Sequence, residues 1–475
     1  MQIAAILFCA ESYEYLIAYA VMQLTSVETS WRTPAKSESA KLPDERMTAL
    51  AILVLACVIR LISIALWSDI DVGHADSSEY IALAQNIRVH GAFSFGSPHP
   101  WGADGRLNTP GPFVPTASRA PLYPLVIAGL WWGKEPPILG IRLLQVLLGG
   151  LTALLVYRMA LPIFGRQCAL LAGLAMALAP RSVHMTATVM SEILFSFLLT
   201  VALWLWGQPR GWLAGILLGA ATLTRAVSLP FIVLLALITG VLKFNRTLHL
   251  RIVLGAMLVI LPWTIRNAVT QHAFIPVAAQ GWGSNLLVGT IDVPYGSGNP
   301  WPQYIADGEV REILQTTHSE SEAEKQMVRV ALQKILRNPL QWLWIRTKQY
   351  PRLFTDSPAY LYRYVPLPPP VIKFAFLFGE LFFLVLSIAG MFMARAEWPR
   401  VYHLALFPVL LIIVQFPVLT DGRYSLPIVP MMAIFAAVAA SGILPRAAKP
   451  EQARAGICLD VSNAQTATRA KIFSR

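Results

Sequence analysis

Two charged residues in the first long polar segment have the types and positions needed for chemistry. Asp76 lies in the sequence HADSSEY and Arg119 lies in SRAPLYP, each close to an apolar stretch. A carboxylate in this position can act as a general base toward a hydroxyl or amine acceptor. An arginine there can pair with a carboxylate or a phosphate. Structural roles are the alternatives: the local pattern alone favours a helix cap at Asp76 or Ser77, and Arg119 fits an interfacial arginine whose head reaches water.

Three further arginines stand where predicted membrane spans end: Arg225 in LTRA, Arg266 in PWTIRN and Arg423 in DGRYS. Singly, each fits a contact to a lipid headgroup. Together they form a candidate site for a lipid phosphate, because guanidinium groups match phosphate oxygens. Such cations also stabilise the leaving group when a sugar is transferred from a phosphate-linked donor. Glu192 falls inside a predicted span, where an acidic residue faces either a polar cavity or a buried partner, here a nearby Arg or His such as His184.

The first polar segment also contains a weak metal-binding pattern. His74 and Asp76 are spaced to share a metal ion, and Asp71 is near. Three ligands in one loop, without a second cluster, do not predict a metal site, so we expect neither a metal nor a cofactor. The cysteines include no CxxC pair and predict neither a disulfide framework nor a zinc site: Cys9, Cys57, Cys168 and Cys458.

Composition identifies the class of protein. The chain has 475 residues, of which 56% are hydrophobic and 13% are charged, and its mean hydropathy is +0.55. Several apolar stretches reach the roughly 20 residues that cross a bilayer core, which predicts an all-α polytopic membrane protein. The net charge of +12 comes from basic residues scattered over predicted inner loops. Positive-inside topology explains this charge better than nucleic-acid binding does.

The apolar stretches fit ten spans with both chain ends in the cytoplasm, because every connection then assigned to the inner side contains Lys or Arg. The spans cover residues 47–67, 137–160, 167–181, 183–206, 210–224, 226–243, 249–265, 371–394, 399–418 and 424–444. This topology places on the outer side polar residues that it does not require there: Asp71, Asp76, Arg119, Arg181, Arg225, Arg266, Asp421 and Arg423. Arginines and carboxylates gathered in this way predict a site for an anionic group.

The predicted spans divide the chain into five parts. Two outer segments interrupt the membrane part, and polar extensions precede and follow it. In the first outer loop, Ser78–Val89 predicts an amphipathic interfacial helix and Pro121–Trp132 a short second one. The second outer segment is helical from about Glu309 to Phe354 and predicts a small cap. The parts are an N-terminal extension (1–46), spans one to seven (47–265) with the first outer loop (68–136), the cap (266–370), spans eight to ten (371–444) and a basic cytoplasmic tail (445–475).

The motifs occur in an order that resembles a known family. The stretches DSSEYIALAQNI, SRAPLYP, MSEILFSFLL, LTRA, PWTIRN and DGRYSLPIVP are similar to those of GT-C class membrane glycosyltransferases. The resemblance is to bacterial relatives of the dolichyl-phosphate-mannose:protein mannosyltransferases and of the lipid A aminoarabinose transferase, and it runs from about Met47 to about Leu444. The chain departs from these patterns: Asp76 is followed by Ser77 instead of Glu, a large lumenal domain is absent, and Arg119-Ala120-Pro121 lacks a double proline. These departures leave the acceptor open.

The resemblance implies roles for individual residues. It makes Asp76 the catalytic base with Glu79 and Tyr80 as companions, places Arg119 near that carboxylate, and puts Arg266 and Arg423 near the donor phosphate. The candidate catalytic residues are therefore Asp76, Glu79 and Arg119. The candidate substrate-binding residues are Tyr80, Tyr123, Glu192, Arg225, Arg266, Arg423 and Tyr424.

The expected function is transfer of one sugar, with inversion, from a polyprenyl-phosphate carrier to a lipid, protein or glycan acceptor. The expected place is the outer, periplasmic face of the cytoplasmic membrane. The alternative is a transporter or flippase of a lipid-linked sugar, which would use the same arginines for binding alone. Alternating access favours polar groups near the midplane and inverted repeats, and neither is found in the sequence. A lipid-binding scaffold is a third interpretation, against which the Asp76–Arg119 pair argues.

Overall fold

The computed structural model describes residues 45–66, 75–96, 114–208, 210–242, 245–292, 309–317, 319–355 and 369–443. The predicted N-terminal extension, except for its last residues, and the predicted tail lie outside this part. Within it, helices dominate and the one sheet is a pair of two-residue strands. The expected all-α polytopic membrane fold is confirmed.

The first half of the chain consists of apolar helices and one polar excursion. After α1 and α2 come the antiparallel strands β1 and β2, which pair Ser94 with Pro115, and then the remaining helices. The bounds are α1 Glu45–Leu66, α2 Ala75–His90, β1 Ser94–Phe95, β2 Val114–Pro115, α3 Leu122–Leu130, α4 Ile138–Leu178, α5 Pro180–Met185, α6 Glu192–Trp206, α7 Gly211–Thr224, α8 Leu229–Leu242 and α9 Arg246–Gln271.

The second half forms a small helical cap and then returns to apolar helices. A compact apolar cluster that includes Leu287, Ile313 and Met327 lies within the cap. The bounds are α10 Gly283–Val288, α11 Glu309–Thr316, α12 Glu320–Arg337, α13 Pro339–Gln349, α14 Arg352–Thr355, α15 Pro369–Met393, α16 Trp398–Gln415 and α17 Val429–Ile443. A 3₁₀ turn, Gly422–Ile428, leads into α17.

Five helical segments of the described chain are long and apolar enough to cross a membrane: Glu45–Leu66, Ile138–Leu178, Arg246–Gln271, Pro370–Gln415 and Gly422–Gly442. Helices α6, α7 and α8 are shorter and apolar. Each predicted span overlaps one of these helices. The spans expected over 137–160 and 167–181 are the two halves of α4, which breaks at Gly165, where φ is 81°. A positive φ at this position favours glycine because it lacks a Cβ.

Small residues bring α7 and α9 together. A Cβ added to Gly215 would lie 2.2 Å from the carbonyl oxygen of Ile252, and one added to Gly255 would lie 2.8 Å from that of Trp212. Backbones can approach this closely only where side chains are absent, which is the usual device of helix pairs in lipid. The contact packs the first turns of α7 against α9, and Arg225 follows the last residue of α7.

The fully buried Arg60 of α1 braces the end of α4. Its guanidinium donates to the carbonyl oxygens of Ala177 (3.1 Å) and Met176 (3.4 Å) and to the hydroxyl of Ser182 (3.0 Å). The last carbonyls of a helix have no partners within that helix, and a cation is favourable beside them. Gly149 leaves room for this side chain, because a Cβ there would lie 2.3 Å from Nε of Arg60.

Glycines also shape the opening of the cap. The Glu324 carboxylate accepts backbone N–H bonds from Gly281 (3.3 Å), Gly283 (2.6 Å) and Ser284 (3.1 Å). A Cβ on Gly283 would lie 2.2 Å from the carbonyl oxygen of Glu324. This cradle ties the glycine-rich start of the cap to α12, which begins with Ser319 as an N-cap that accepts from the amide of Glu322.

Candidate active site

Asp76 lies between two arginines. It occupies the first turn of α2, and its Oδ1 accepts from Nη2 of Arg119 at 2.5 Å. Its Oδ2 accepts from Nη1 of Arg423 at 2.7 Å. Nε of Arg119 also donates to Oε2 of Glu79 at 2.5 Å. Because Asp76 and Glu79 are three residues apart on a helix, they share a face and meet the same guanidinium.

An aromatic pair lies beneath this cluster. The guanidinium of Arg119 lies 5.5 Å from the ring centroid of Tyr80, which makes an edge contact of 5.0 Å with the Tyr123 ring. The Tyr123 hydroxyl donates to Oε1 of Gln145 at 3.2 Å. Both tyrosines are buried. Tyr123 lies in the first turn of the short helix α3, which begins directly after Pro121 and so places its ring against that of Tyr80.

A second ion pair continues the network. Nη1 of Arg225 lies 2.8 Å from Oε1 of Glu192 as an ion pair and donates to the hydroxyl oxygen of Ser191 at 3.1 Å. The hydroxyls of Ser191 and Tyr80 are 3.2 Å apart, which connects this pair to the aromatic pair. The prediction for Glu192 is corrected here: it stands in the first turn of α6 instead of inside a span. Its ion-pair partner is Arg225, an arginine as one of the two sequence interpretations allowed, and not His184.

Tyr424 lies between two cations. The Arg225 guanidinium is 5.7 Å from its ring centroid and that of Arg423 is 5.3 Å away. Asp421 caps the 3₁₀ turn by accepting from the amide of Arg423 at 2.9 Å. Buried Arg181 supports the same turn by donating to the carbonyl oxygen of Gly422 at 2.5 Å. Arg225 and Arg423 are therefore both held close to one ring.

The network fixes the protonation state of Asp76. Three guanidinium groups (Arg119, Arg225, Arg423) face four carboxylates (Asp76, Glu79, Glu192, Asp421). Burial alone would raise the pKa of the Asp76 carboxyl, but Arg119 and Arg423 together lower that pKa well below its usual range. Asp76 is therefore a carboxylate at physiological pH. Both of its oxygens accept from arginines, and these contacts differ from those of the alternative helix cap.

Arg266 is placed differently from the prediction. Its Nη1 donates to the carbonyl oxygen of Thr116 at 2.5 Å and its Nη2 to that of Phe93 at 2.9 Å. Among the described residues, no contact joins it to Asp76 or Arg423. The prediction that it lies beside Arg423 at a donor phosphate is therefore wrong, because the guanidinium is occupied by two backbone carbonyls near β1 and β2.

The structure thus brings together nine of the ten predicted site residues and adds one that was missed. Ser191 stands between Tyr80 and Arg225, and its position beside Glu192 in the stretch MSEILF is the one sequence signal for it. Asp71 and His74, two of the candidate metal ligands, lie outside the described residues. The nine residues are Asp76, Glu79, Tyr80, Arg119, Tyr123, Glu192, Arg225, Arg423 and Tyr424.

Comparison with known proteins shows a family match for part of the chain and a similar fold. Residues 118–265 match the family model for dolichyl-phosphate-mannose-protein mannosyltransferase. This segment includes Arg119, Tyr123, Glu192 and Arg225. No curated protein sequence gives a significant match.

Three solved structures are similar in backbone. The apo oligosaccharyltransferase of Archaeoglobus fulgidus has 13% identity and a TM-score of 0.50, with 88% of this chain and 52% of that chain covered. The A. fulgidus oligosaccharyltransferase AglB in complex with an inhibitory peptide and a dolichol-phosphate has 13% identity and a TM-score of 0.48, with the same coverage. ArnT from Cupriavidus metallidurans bound to undecaprenyl phosphate has 16% identity and a TM-score of 0.38, with 83% and 78% covered.

The family-model match and the backbone of the apo oligosaccharyltransferase confirm the expected resemblance to GT-C class membrane glycosyltransferases. At such low identity the structural likeness concerns the fold alone. The chain spans about half the length of the archaeal oligosaccharyltransferase that it matches.

Proposed function

We propose that this chain, with its mannosyltransferase-family segment and its GT-C fold, is an integral membrane glycosyltransferase. It transfers one sugar from a polyprenyl-phosphate-linked donor to a lipid, protein or glycan acceptor on the outer face of the cytoplasmic membrane. The observation that carries the proposal is the Asp76 carboxylate held between Arg119 and Arg423. It combines a proton acceptor with cations suited to a phosphate in one polar cluster beside apolar helices.

The donor phosphate binds at Arg225 and Arg423. Both guanidinium groups lie close to the Tyr424 ring, and each is about one-fifth exposed or less. Forked guanidinium groups match phosphate oxygens, and partial burial strengthens the contact because solvent screens it less. Arg225 and Arg423 replace the pair Arg266 and Arg423 that the sequence suggested.

Donor binding activates Asp76. With both oxygens bonded to guanidinium groups, the carboxylate is a poor proton acceptor. An arriving phosphate competes for Arg423 and draws it from Oδ2, which raises the basicity of the carboxylate. Asp76 then takes the acceptor proton as the acceptor oxygen or nitrogen attacks the anomeric carbon. The bond from that carbon to the phosphate oxygen breaks, and polyprenyl phosphate leaves with its charge stabilised by Arg225 and Arg423.

The location of the charges favours transfer over transport. Glu192 begins α6, and Arg225 follows the end of α7. Because these consecutive helices run in opposite directions, the two residues lie at the same end of the bundle. Transport by alternating access favours sites near the midplane, so a cluster at helix ends supports chemistry at one membrane face.

The test uses purified protein in nanodiscs with a panel of polyprenyl-phosphate sugars. Asp76→Asn keeps the side-chain shape and removes the proton acceptor, so it should purify normally and transfer no sugar. Asp292→Asn is the matched control, because Asp292 forms an exposed pair with Lys348 in the cap. Near-native transfer by Asp76→Asn would show that Asp76 does not serve as the base.

A further inference from the structure

The chain segment 116–118 directly precedes Arg119 and is held by bonds from two separate regions. Arg266 of α9 donates to the carbonyl oxygen of Thr116. From the start of the cap, the amide of Ala279 donates to the carbonyl oxygen of Ala117 at 2.7 Å, and that of Gln280 donates to the carbonyl oxygen of Ser118 at 3.2 Å. These bonds fix the backbone that leads into Arg119.

Glu320 completes this arrangement from the first turn of α12. Its Oε1 accepts from the Thr116 hydroxyl at 2.6 Å and its Oε2 accepts from the amide of Ala117 at 3.3 Å. The carboxylate is buried, although α12 otherwise exposes many polar side chains. Burying a carboxylate costs free energy unless it is paired or hydrogen-bonded. Here both partners belong to the segment that carries Arg119.

We propose that Glu320 is a positioning residue for the transfer reaction: through Thr116 and Ala117 it fixes the backbone before Arg119 and so sets where that guanidinium meets Asp76. The cap thereby controls the geometry of the site. This inference rests on the proposed function. A small displacement of a positioning group is enough to lower turnover substantially.

The charged groups around Glu320 make this arrangement sensitive to pH. Burial, with contributions from Glu79 of α2 and Glu324 of its own helix, raises the pKa of the Glu320 carboxyl to about 7. Arg266 is the cation that faces it from α9. When the Glu320 carboxyl takes up a proton, one of its two oxygens becomes an O–H group. The carboxyl then no longer accepts equally well from Thr116 and Ala117. The bonds to Thr116 and Ala117 therefore weaken as the pH falls below about 7.

Four variants test the proposal. Glu320→Ala removes both bonds, Glu320→Gln keeps an acceptor but cannot titrate, and Thr116→Val removes the hydroxyl partner. Glu322→Gln changes an exposed carboxylate two residues away on the same helix and is the matched control. For each we would measure kcat and the donor KM from about pH 5.5 to about pH 8.5, and amide hydrogen exchange over residues 114–120.

We expect Glu320→Ala to lower kcat/KM on the order of tenfold and to speed exchange over 114–120. Glu320→Gln resembles the protonated carboxyl, so at every pH it should show the lower activity that the wild type has below about pH 7, without the pH dependence of the wild type. The proposal would be overturned if Glu320→Ala matched Glu322→Gln in its kinetics, its pH profile and its hydrogen exchange. A wild-type protein without transfer activity would contradict the proposed function, whereas the exchange measurement would still test whether Glu320 holds the segment.

A separate observation concerns helix α13 of the cap. One side of α13 is fixed to the end of α16: Arg346 donates from Nε to the carbonyl oxygen of Phe416 at 2.7 Å, and the Tyr350 hydroxyl, which follows the helix, donates to the carbonyl oxygen of Ile412. Because α16 belongs to a segment long and apolar enough to cross a membrane, these contacts set α13 at the level where that helix reaches the bilayer surface.

The other side of α13 is apolar and uncovered within the described chain. Leu340 is 80% exposed and Trp344 is 67% exposed, and Leu336 at the end of α12 is 79% exposed. On α16, Ile413 is also 62% exposed, beside the bonded Ile412. Exposed apolar side chains therefore occur both on α13 and at the end of the predicted membrane span to which it is bonded. Tryptophan is enriched at the boundary between lipid and water.

We infer that α13 is an interfacial helix whose Leu336, Leu340 and Trp344 side chains enter the outer leaflet. The test uses Trp344→Cys and Leu340→Cys, labelled with a fluorophore in protein whose native cysteines are replaced by serine. Glu322→Cys is the polar control. In phosphatidylethanolamine–phosphatidylglycerol vesicles, spin-labelled lipid should quench the labels at 340 and 344, and aqueous iodide should quench the label at 322. Quenching of the labels at 340 and 344 by iodide would overturn the inference. So would labels at these positions that neither agent quenches, because protein would then cover them.

Discussion

Arg423 and Asp76 are 347 residues apart in the chain, and their Nη1 and Oδ2 atoms are 2.7 Å apart in the structure. The contact joins the first turn of α2 to the turn that precedes the last helix. This contact forms only when the first and last parts of the membrane domain are packed together. The site is therefore complete only when the whole helix bundle has folded.

The first prediction concerns donor binding. Arg225→Ala and Arg423→Ala each remove a charge-assisted contact to phosphate, which is worth about 1.5–3 kcal/mol. Donor use should fall roughly ten- to a hundredfold in each. Lysine at either position keeps the charge and loses the fork, so a partial loss is expected. Donor-dependence kinetics with a purified polyprenyl-phosphate sugar measure this effect. Unchanged kinetics in both alanine variants would show that the donor phosphate does not bind at these arginines.

The second prediction concerns the stability of the Glu192–Arg225 pair. Glu192→Ala leaves a largely buried guanidinium without its carboxylate, and such a loss costs about 3–5 kcal/mol. The double variant Glu192→Ala/Arg225→Leu removes both charges and should unfold at a higher temperature than the single variant. Thermal unfolding in detergent, followed by gel filtration, compares the two. Equal unfolding temperatures would mean that the pair does not determine stability here.

The third prediction concerns pH and follows from Glu320. Its pKa is raised to about 7 in the folded protein, above the roughly 4.3 of an unfolded chain. The folded state then binds more protons than the unfolded state between these values, so stability decreases as the pH rises from about 4.5 to about 7. The wild-type unfolding temperature should fall more across this range than that of Glu320→Gln. Parallel curves for the two proteins would contradict the raised pKa.

The fourth prediction concerns membrane topology. Basic inner connections place the cap, and with it Trp282, on the outer side, and the connection at Arg395 on the inner side. In protein without native cysteines, an impermeant reagent added to intact cells should label Trp282→Cys and spare Arg395→Cys. Both residues are exposed in the structure, so access is limited by the membrane. The reverse labelling pattern would place the site on the cytoplasmic face.

Much of the membrane part could be predicted because lipid imposes local rules. A run of apolar residues must form a helix, and the basic residues at its end indicate its direction. The same rules located Asp76, Arg119, Arg225 and Arg423 at one face. The resemblance placed Arg119 near Asp76, and the two side chains are in contact in the structure.

The predictions were wrong where contacts between residues distant in sequence determine the structure. Hydropathy runs continuously from residue 183 to residue 206 and gave no sign that α6 begins only at Glu192, because no proline or glycine marks the break. Arg266 was assigned to the phosphate from its place at a span end. The carbonyl groups of Phe93 and Thr116 that occupy it lie about 150 residues or more away in sequence. Glu320 was not singled out, since its burial depends on the fold of the cap over segment 116–118.

The central claim is tested most directly by mass spectrometry of cell-envelope lipids, glycans and proteins from cells with and without the gene. Deletion should remove one sugar residue from a single class of envelope molecule, and the wild-type gene should restore it. The Asp76→Asn gene should not restore it, although its protein should be present in the membrane at normal abundance. An envelope unchanged by deletion, or one fully restored by Asp76→Asn, would contradict sugar transfer with Asp76 as the base.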